Sequence, residues 1–299
     1  MPVVLITGAS GLLGRAVVLA FQQQPEWDIV GLGFTRGSSV IRSVDLRNEI
    51  EVKRVINEVK PNVIVHSAAE RRVENCEADV IMSEALNVHA TYVIARAANE
   101  IGATFIHIST DYVFDGQHPP YTETAPVCPL NLYGSQKARS ESAAIAGHRN
   151  PIILRVPVLY GPTKDLSESA VTMMATAVRA SEKVQKFDLW QIRVPTLTTD
   201  IALTIRNIAN HCITGGVVSG IFHYSSREIT TRYKLAQLFG EILSLPTSHI
   251  GLHEGEPPGA VRPKDCLLSC EKLIATGLAA PHTNFRQALE QILKESSAS

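Results

Sequence analysis

The sequence has no stretch approaching the ~18 consecutive apolar residues needed to cross a bilayer, so a membrane span is excluded from the reading. No basic region precedes its first apolar run, MPVVLITGAS, which therefore does not read as a signal peptide; a cytoplasmic protein is expected. Neither sign of charge is in surplus. Lys and Arg number 28 against 29 Asp and Glu, for a formal charge of −1, which argues against a nucleic acid or an anionic membrane surface as partner. Cysteine is scarce and scattered. The five, at 76, 128, 212, 266 and 270, are odd in number and do not form a disulfide framework. Only Cys266 and Cys270 are close, with no His or Cys cluster beside them, so no metal site is expected. Internal repeats and low-complexity tracts are absent too.

What the chain does have is length and rhythm. Its 299 residues, 45% of them hydrophobic, can bury one large α/β domain with an appendage. VVLIT (3–7), DIVGLGF (28–34), NVIVHSA (62–68) and TFIHIST (104–110) are nearly continuously apolar and read as strands buried on both faces. Segments 12–24, 48–59 and 79–101 carry apolar residues at helical spacing between them. Strand and helix in alternation predict a doubly wound parallel sheet of Rossmann type with right-handed crossovers. PIILRVPVLYG (151–161) makes a sixth strand, after which the rhythm breaks. A helix over 168–180, a short strand QIRVPT, a helix capped by Thr199 or Asp200, and a strand GIFHYSS follow. The expected division is residues 1–160 plus about 197–224 for the sheet domain, and 161–196 plus 225–299 for a smaller C-terminal α/β domain that takes substrate or partner.

Gly8, Gly11 and Gly14 fall between the first strand and the first helix. That context suits a tight turn, close approach of a pyrophosphate and its seating on a helix N-terminus. The second strand ends GFTRGSS, with Arg36 where a ribose-binding carboxylate would favour NAD. NADP is therefore the expected cofactor, with Arg15 as a second nearby cation. Arg36→Ala is predicted to weaken NADP far more than NAD in side-by-side calorimetric titrations. Asp45, in VDL after a third strand, is placed to meet the adenine amino group, and Ser67 to lie along the rest of the dinucleotide.

ISTDYVFDGQHPPY (108–121) places hydroxyls and acids at the end of a buried strand, where open α/β sheets keep their chemistry. Downstream, Tyr133 and Lys137 stand four apart on one helical face. A lysine ammonium and a cofactor cation beside the phenol would bring it into working range as a proton donor, and Thr110 would hold a substrate carbonyl against it. Thr110, Tyr133 and Lys137 are thus the candidate catalytic residues. His66 and His107 read as satisfied core histidines, Asp111 and Asp115 as loop-shaping residues, and Met173 and Met174 as core.

With these motifs in place, the sequence resembles the extended short-chain dehydrogenase/reductase superfamily over nearly its whole length. STDYVFDG, PLNLYG and the RP at 262–263 resemble dTDP-4-dehydrorhamnose reductases, which reduce a 4-keto sugar nucleotide with NAD(P)H. TGASGLLGRAV, GFTR, VIVHSAAERR, DYVFDGQHPPY, APVCPLNLYG and RVPVLYG are similar, more closely, to the regulatory β subunits of methionine adenosyltransferase. That second resemblance implies NADP contacts from Ser10, Gly11, Leu12, Leu13, Phe34, Thr35, Arg36, Asp45, Leu46, Ser67, Arg71, Tyr133 and Leu159, with Gly8, Gly14 and Lys137 completing the cofactor site. It also implies a methionine adenosyltransferase catalytic subunit as partner, whose S-adenosylmethionine synthesis is tuned, with the dinucleotide as a structural or sensing ligand. The first resemblance implies a working reductase with a sugar-nucleotide substrate instead. Animal β subunits carry an aromatic and basic tail past their last helix. This sequence departs from them there, ending FRQALEQILKESSAS, and the departure bears on how a partner would be held.

Overall fold

The computed structural model describes residues 1–34 and 41–297. Thr35 and Arg36, two of the expected cofactor contacts, lie outside the described residues. Strands β1 (Val3–Thr7), β2 (Asp28–Gly33), β3 (Ile41–Ser43), β4 (Val63–His66), β5 (Thr104–Thr110) and β6 (Ile152–Val156) alternate with helices α1 (Leu12–Gln22), α2 (Glu49–Val59), α3 (Val73–Ala78), α4 (Val80–Glu84), α5 (Ala90–Glu100) and α6 (Leu132–Gly147). The chain continues through β7 (Leu159–Tyr160), α7 (Met173–Arg179), β8 (Gln185–Asp188), β9 (Thr196–Leu197), α8 (Thr198–Ile213), β10 (Gly220–His223), α9 (Arg232–Leu243), β11 (Ile250–His253), α10 (Glu271–Ala275) and α11 (Phe285–Ser297).

Among the described residues seven strands form one sheet in the order β10-β6-β5-β4-β1-β2-β3, and every pairing is parallel. The fold is the expected doubly wound one. Strand alternation divides the core in two. Val4, Ile6, Val63, Val65 and Leu154 face α1 and α8, while Leu5, Ile64, Phe105 and Ile153 face α2 and α5. Such strands are apolar on both sides because helices cover both. From β1 the order runs outward one way to β2 and β3 and the other way to β4, β5 and β6. A doubly wound sheet opens its ligand crevice at the carboxyl ends of the strands where the order reverses. A third core, built on Tyr160, Met174, Val178, Phe187, Phe239 and Leu289, joins α7, α9 and α11 to the short pairs β8–β11 and β7–β9.

Several local expectations are revised. The helix read over 79–101 is broken into α4, a π-turn at Ala85–His89 and α5, because Asn87 turns inward to donate to the Glu70 carbonyl at 3.0 Å and to Gln136 at 2.8 Å. Neither Thr199 nor Asp200 caps α8, which starts at Thr198. Asp200 instead accepts from the backbone N–H and hydroxyl of Thr283, 83 residues away. No strand forms at QIRVPT as a unit; Arg193 makes one isolated bridge with Thr230 and the strand begins at Thr196. The helix read over 168–180 shortens to α7, preceded by a 3-10 turn at Leu166–Glu168.

Candidate functional site

The turn after β1 is shaped by two glycines. Gly8 has φ +67°, and a side chain there would meet the backbone of Ala68 at 2.9 Å. A Cβ on Gly14 would lie 2.1 Å from the Gly8 carbonyl oxygen. Only glycine lets α1 sit this close to the turn. The N-cap of α1 is Gly11, which supplies no side-chain acceptor to the first-turn N–H groups. An uncapped helix start with its dipole facing a cavity is a ready seat for phosphate.

That cavity, a cleft of about 1360 Å³, runs along the carboxyl edge of the sheet. Gly8, Ser10, Gly11, Leu12, Leu13, Gly14, Phe34, Asp45, Leu46, Ser67, Arg71, Thr110, Tyr133, Lys137 and Leu159 all line it. Every described residue of the expected site is therefore gathered on one cleft. Ser67 donates to the Thr7 carbonyl at 2.7 Å, tying β4 to the turn. Asp45 accepts from the Arg47 guanidinium through both oxygens, each at 2.7 Å, and that pairing holds its carboxyl below the usual range. The same guanidinium stacks over the Phe34 ring at 5.0 Å. Arg15, expected as a second phosphate cation, is committed elsewhere: its guanidinium pairs with Glu168 and donates to the Ser10 carbonyl at 2.9 Å.

At the far end, α6 brings Tyr133 and Lys137 against the end of β5. Asn131 caps this helix through the Gly134 N–H at 2.9 Å. The Lys137 ammonium donates to the Ile108 carbonyl at 2.8 Å and reaches His107 Nε2 at 3.1 Å. Burial drops its pKa to about 7, against the Glu141 charge, which raises it. Burial also pushes the Tyr133 phenol well above its ordinary value; the Thr110 hydroxyl works the other way and the Asp111 carboxylate adds to the rise. In this arrangement the phenol, with no cofactor cation beside it, is harder to ionise than in water. Asp111 itself is lifted by burial to about 7, opposed by its hydrogen bond from Thr110, 3.1 Å. Read first as a loop-shaping residue, it lies in the cleft wall.

The lysine makes a signed pH prediction. The unfolded chain keeps the Lys137 proton up to its ordinary value near 10.5, whereas the folded chain releases it near 7. Between those values the unfolded state binds the extra proton, so stability climbs with pH across the window. Lys137→Met is expected to remove that climb, read as unfolding free energies from urea titrations at pH 7 and pH 9.5; an unchanged slope would show that the ammonium is not desolvated.

His66 is the satisfied core histidine expected, bonded to Thr7 Oγ1 at 2.7 Å and Thr91 Oγ1 at 3.0 Å. His107 meets Ser140 at 2.8 Å, though its Nδ1 has no partner among the described residues. Asp115 shapes its loop by accepting from Gln117 N–H and the Tyr121 hydroxyl. Met174 is core, but Met173 is exposed and lines the cleft. The lining also includes residues that local reading passed over, among them Arg47, Gln191, Arg193 and Arg232. For Arg47 the signal was its place two residues after Asp45. The others are isolated in sequence and arrive only through the tertiary fold.

The family model for the RmlD substrate binding domain matches residues 1–298. The chain is 42% identical to methionine adenosyltransferase 2 subunit beta of Mus musculus over 291 residues, covering 97% of this chain and 86% of the relative. It is 29% identical to dTDP-4-dehydrorhamnose reductase of Aggregatibacter actinomycetemcomitans, over 96% of this chain and 97% of that one. In fold it matches the dTDP-4-dehydrorhamnose reductase of Bacillus anthracis, solved in complex with NADP, with a TM-score of 0.82 at 24% identity and 99% of each chain covered. The glycine turn, the Tyr133–Lys137 helix face and the cleft that joins them thus sit in a chain that belongs to the RmlD substrate binding domain family, and within it to the family of methionine adenosyltransferase 2 β subunits.

Proposed function

We propose that this chain binds NADP and serves as a regulatory β subunit of methionine adenosyltransferase, modulating S-adenosylmethionine synthesis by the catalytic subunit. The observation that carries the reading is the 42% identity to a β subunit spanning 97% of the chain. The cleft fits the dinucleotide on its own terms: Gly8 and Gly14 let the turn pack against the backbone of Ala68 and α1 close on the turn, and the first turn of α1 is uncapped beside the cleft. Gly8 to Gly14 would hold the pyrophosphate, Phe34, Asp45 and Leu46 the adenosine end, and Ser67, Arg71, Tyr133, Lys137 and Leu159 the remainder.

The test is to mix the purified chain with a methionine adenosyltransferase catalytic subunit at micromolar concentrations. Co-elution and a changed methionine dependence are expected. Failure to form a complex would sink the regulatory reading.

A second reading is kept by a specific observation, the convergence of Thr110, Tyr133 and Lys137 on one cleft. In it the chain is a dTDP-4-dehydrorhamnose reductase: bound NADPH supplies hydride, Tyr133 gives the proton and Thr110 orients the carbonyl. NADPH consumption with dTDP-4-keto-6-deoxymannose, lost in Tyr133→Phe, would decide for it.

A further inference from the structure

We propose that residues 161–169 form a strap across the mouth of the dinucleotide cleft, fastened by Glu168 to Arg15 and Arg71, and that this clasp must release each time a dinucleotide enters or leaves. The inference rests on the reading that the cleft takes a dinucleotide, and adds how exchange is controlled.

The strap leaves the sheet edge after β7 and returns at α7. Its base is pinned: the Ser169 hydroxyl donates to the Leu159 carbonyl at 2.7 Å and the Thr172 hydroxyl to the Leu166 carbonyl at 2.7 Å. Beside that base it is also held from α1 and from the loop after β4. Arg15, the residue directly after Gly14, pairs with the Glu168 carboxylate and also reaches the Pro162 carbonyl at 3.4 Å. Arg71, in the loop after β4, donates to the Glu168 backbone carbonyl at 2.7 Å. One strap residue is thus gripped from α1 and from the β4 loop, the two sides of the phosphate turn.

Ser167 of the strap, with Ala170 and Met173 just beyond it, lines the same cleft as Gly11 to Gly14, so a dinucleotide lying on the turn would run past the strap. The chemistry of the clasp suits a gate. Arg15 and Glu168 keep 18% and 16% of their side chains exposed, sheltered enough for a charge-assisted pair to hold and wet enough for it to exchange. The Glu168 carboxylate is held by Arg15, the residue that follows the glycine turn, and that pairing offsets its repulsion from an incoming pyrophosphate when the strap closes. Closing segments of this kind commonly set the pace of ligand exchange.

A second ion pair, Arg262 with Glu74, ties the loop after β11 to α3 on another part of the same cleft and supplies a control. The probe is NADPH fluorescence in stopped flow, with excess NADP as chase. For Glu168→Gln, association and dissociation rate constants are both expected to rise about tenfold, a barrier change of about 1.4 kcal/mol, with Kd moving less than about threefold. Glu74→Gln is expected to leave both rates within about twofold, because a rim ion pair contributes little. Unchanged rates in Glu168→Gln, a rise in dissociation alone, or equal acceleration by Glu74→Gln would each overturn the clasp. Absence of NADPH binding by the unaltered chain would sink the cofactor reading together with the clasp; binding with rates that ignore Glu168 sinks the clasp alone.

Discussion

Arg155→Met is expected to lower the unfolding free energy by about 3–5 kcal/mol, the cost of leaving one partner of a buried ion pair uncompensated. Arg155 lies on β6, the strand next to the β10 edge of the sheet, and is only 2% exposed. Its guanidinium makes a two-point contact with Glu141 on α6, at 2.9 and 2.7 Å, and stacks over the Phe114 ring at 5.0 Å. Removing it strands a carboxylate left, among the described residues, with the Ser109 hydroxyl as donor at 2.5 Å. Replacing both charges at once, Arg155→Met with Glu141→Leu, removes the stranded group and is expected to recover most of the loss, because a buried pair pays for its desolvation with its own attraction and nets little. Urea denaturation of the two single variants and the double one reads this directly. A single-variant loss under about 1 kcal/mol, or a double variant no better than Arg155→Met, would mean that the pair is not desolvated as the structure has it. The pair also bears on the cleft, since Glu141 lies one helical turn beyond Lys137 and its charge supports the lysine's proton.

Much of the sheet was legible because buried parallel strands are written as short apolar runs: VVLIT and TFIHIST became the strands they spelled, and NVIVHSA a shorter one, Val63–His66. Periodicity also exposed α1 and α2. It failed where a side chain's destination lay far off in sequence. Asp200 looks like a helix cap until Thr283 arrives to take both of its oxygens. The 79–101 pattern is helical throughout, yet Asn87 is drawn inward by Glu70 and Gln136, and the backbone widens to let it through. Within the site, the glycine turn and the Tyr133–Lys137 spacing are local signals and were readable as such. The commitment of Arg15 to Glu168 spans 153 residues, so that no local pattern betrays it. For the same reason the lysine's turn toward Ile108 is a fact of packing between α6 and β5, not of helical spacing.

Gly14→Val is expected to abolish dinucleotide binding while the chain still folds. The added Cβ would lie 2.1 Å from the Gly8 oxygen and 2.8 Å from the Ala9 Cα, both of them backbone, so no side-chain rotation relieves the clash. The helix must then move off the turn, and its first N–H groups leave the position where they would meet a pyrophosphate. Because a seat of aligned backbone amides depends on position, displacement of the helix by about 1 Å is enough to disable it. The apolar side chains of α1 on either side of Gly14 pack in the core shared with α8, separate from the cores facing α2 and α5 and those of α7, α9 and α11. Loss of stability should therefore stay within the range of about 1–3 kcal/mol typical of overpacking. Far-ultraviolet circular dichroism should show an intact α/β signature, thermal melting a lowered but cooperative transition, and calorimetry no heat with NADPH. A variant that binds NADPH as tightly as the parent chain would show that the phosphates do not lie on this turn, and the assignment of the whole cleft would fail with it.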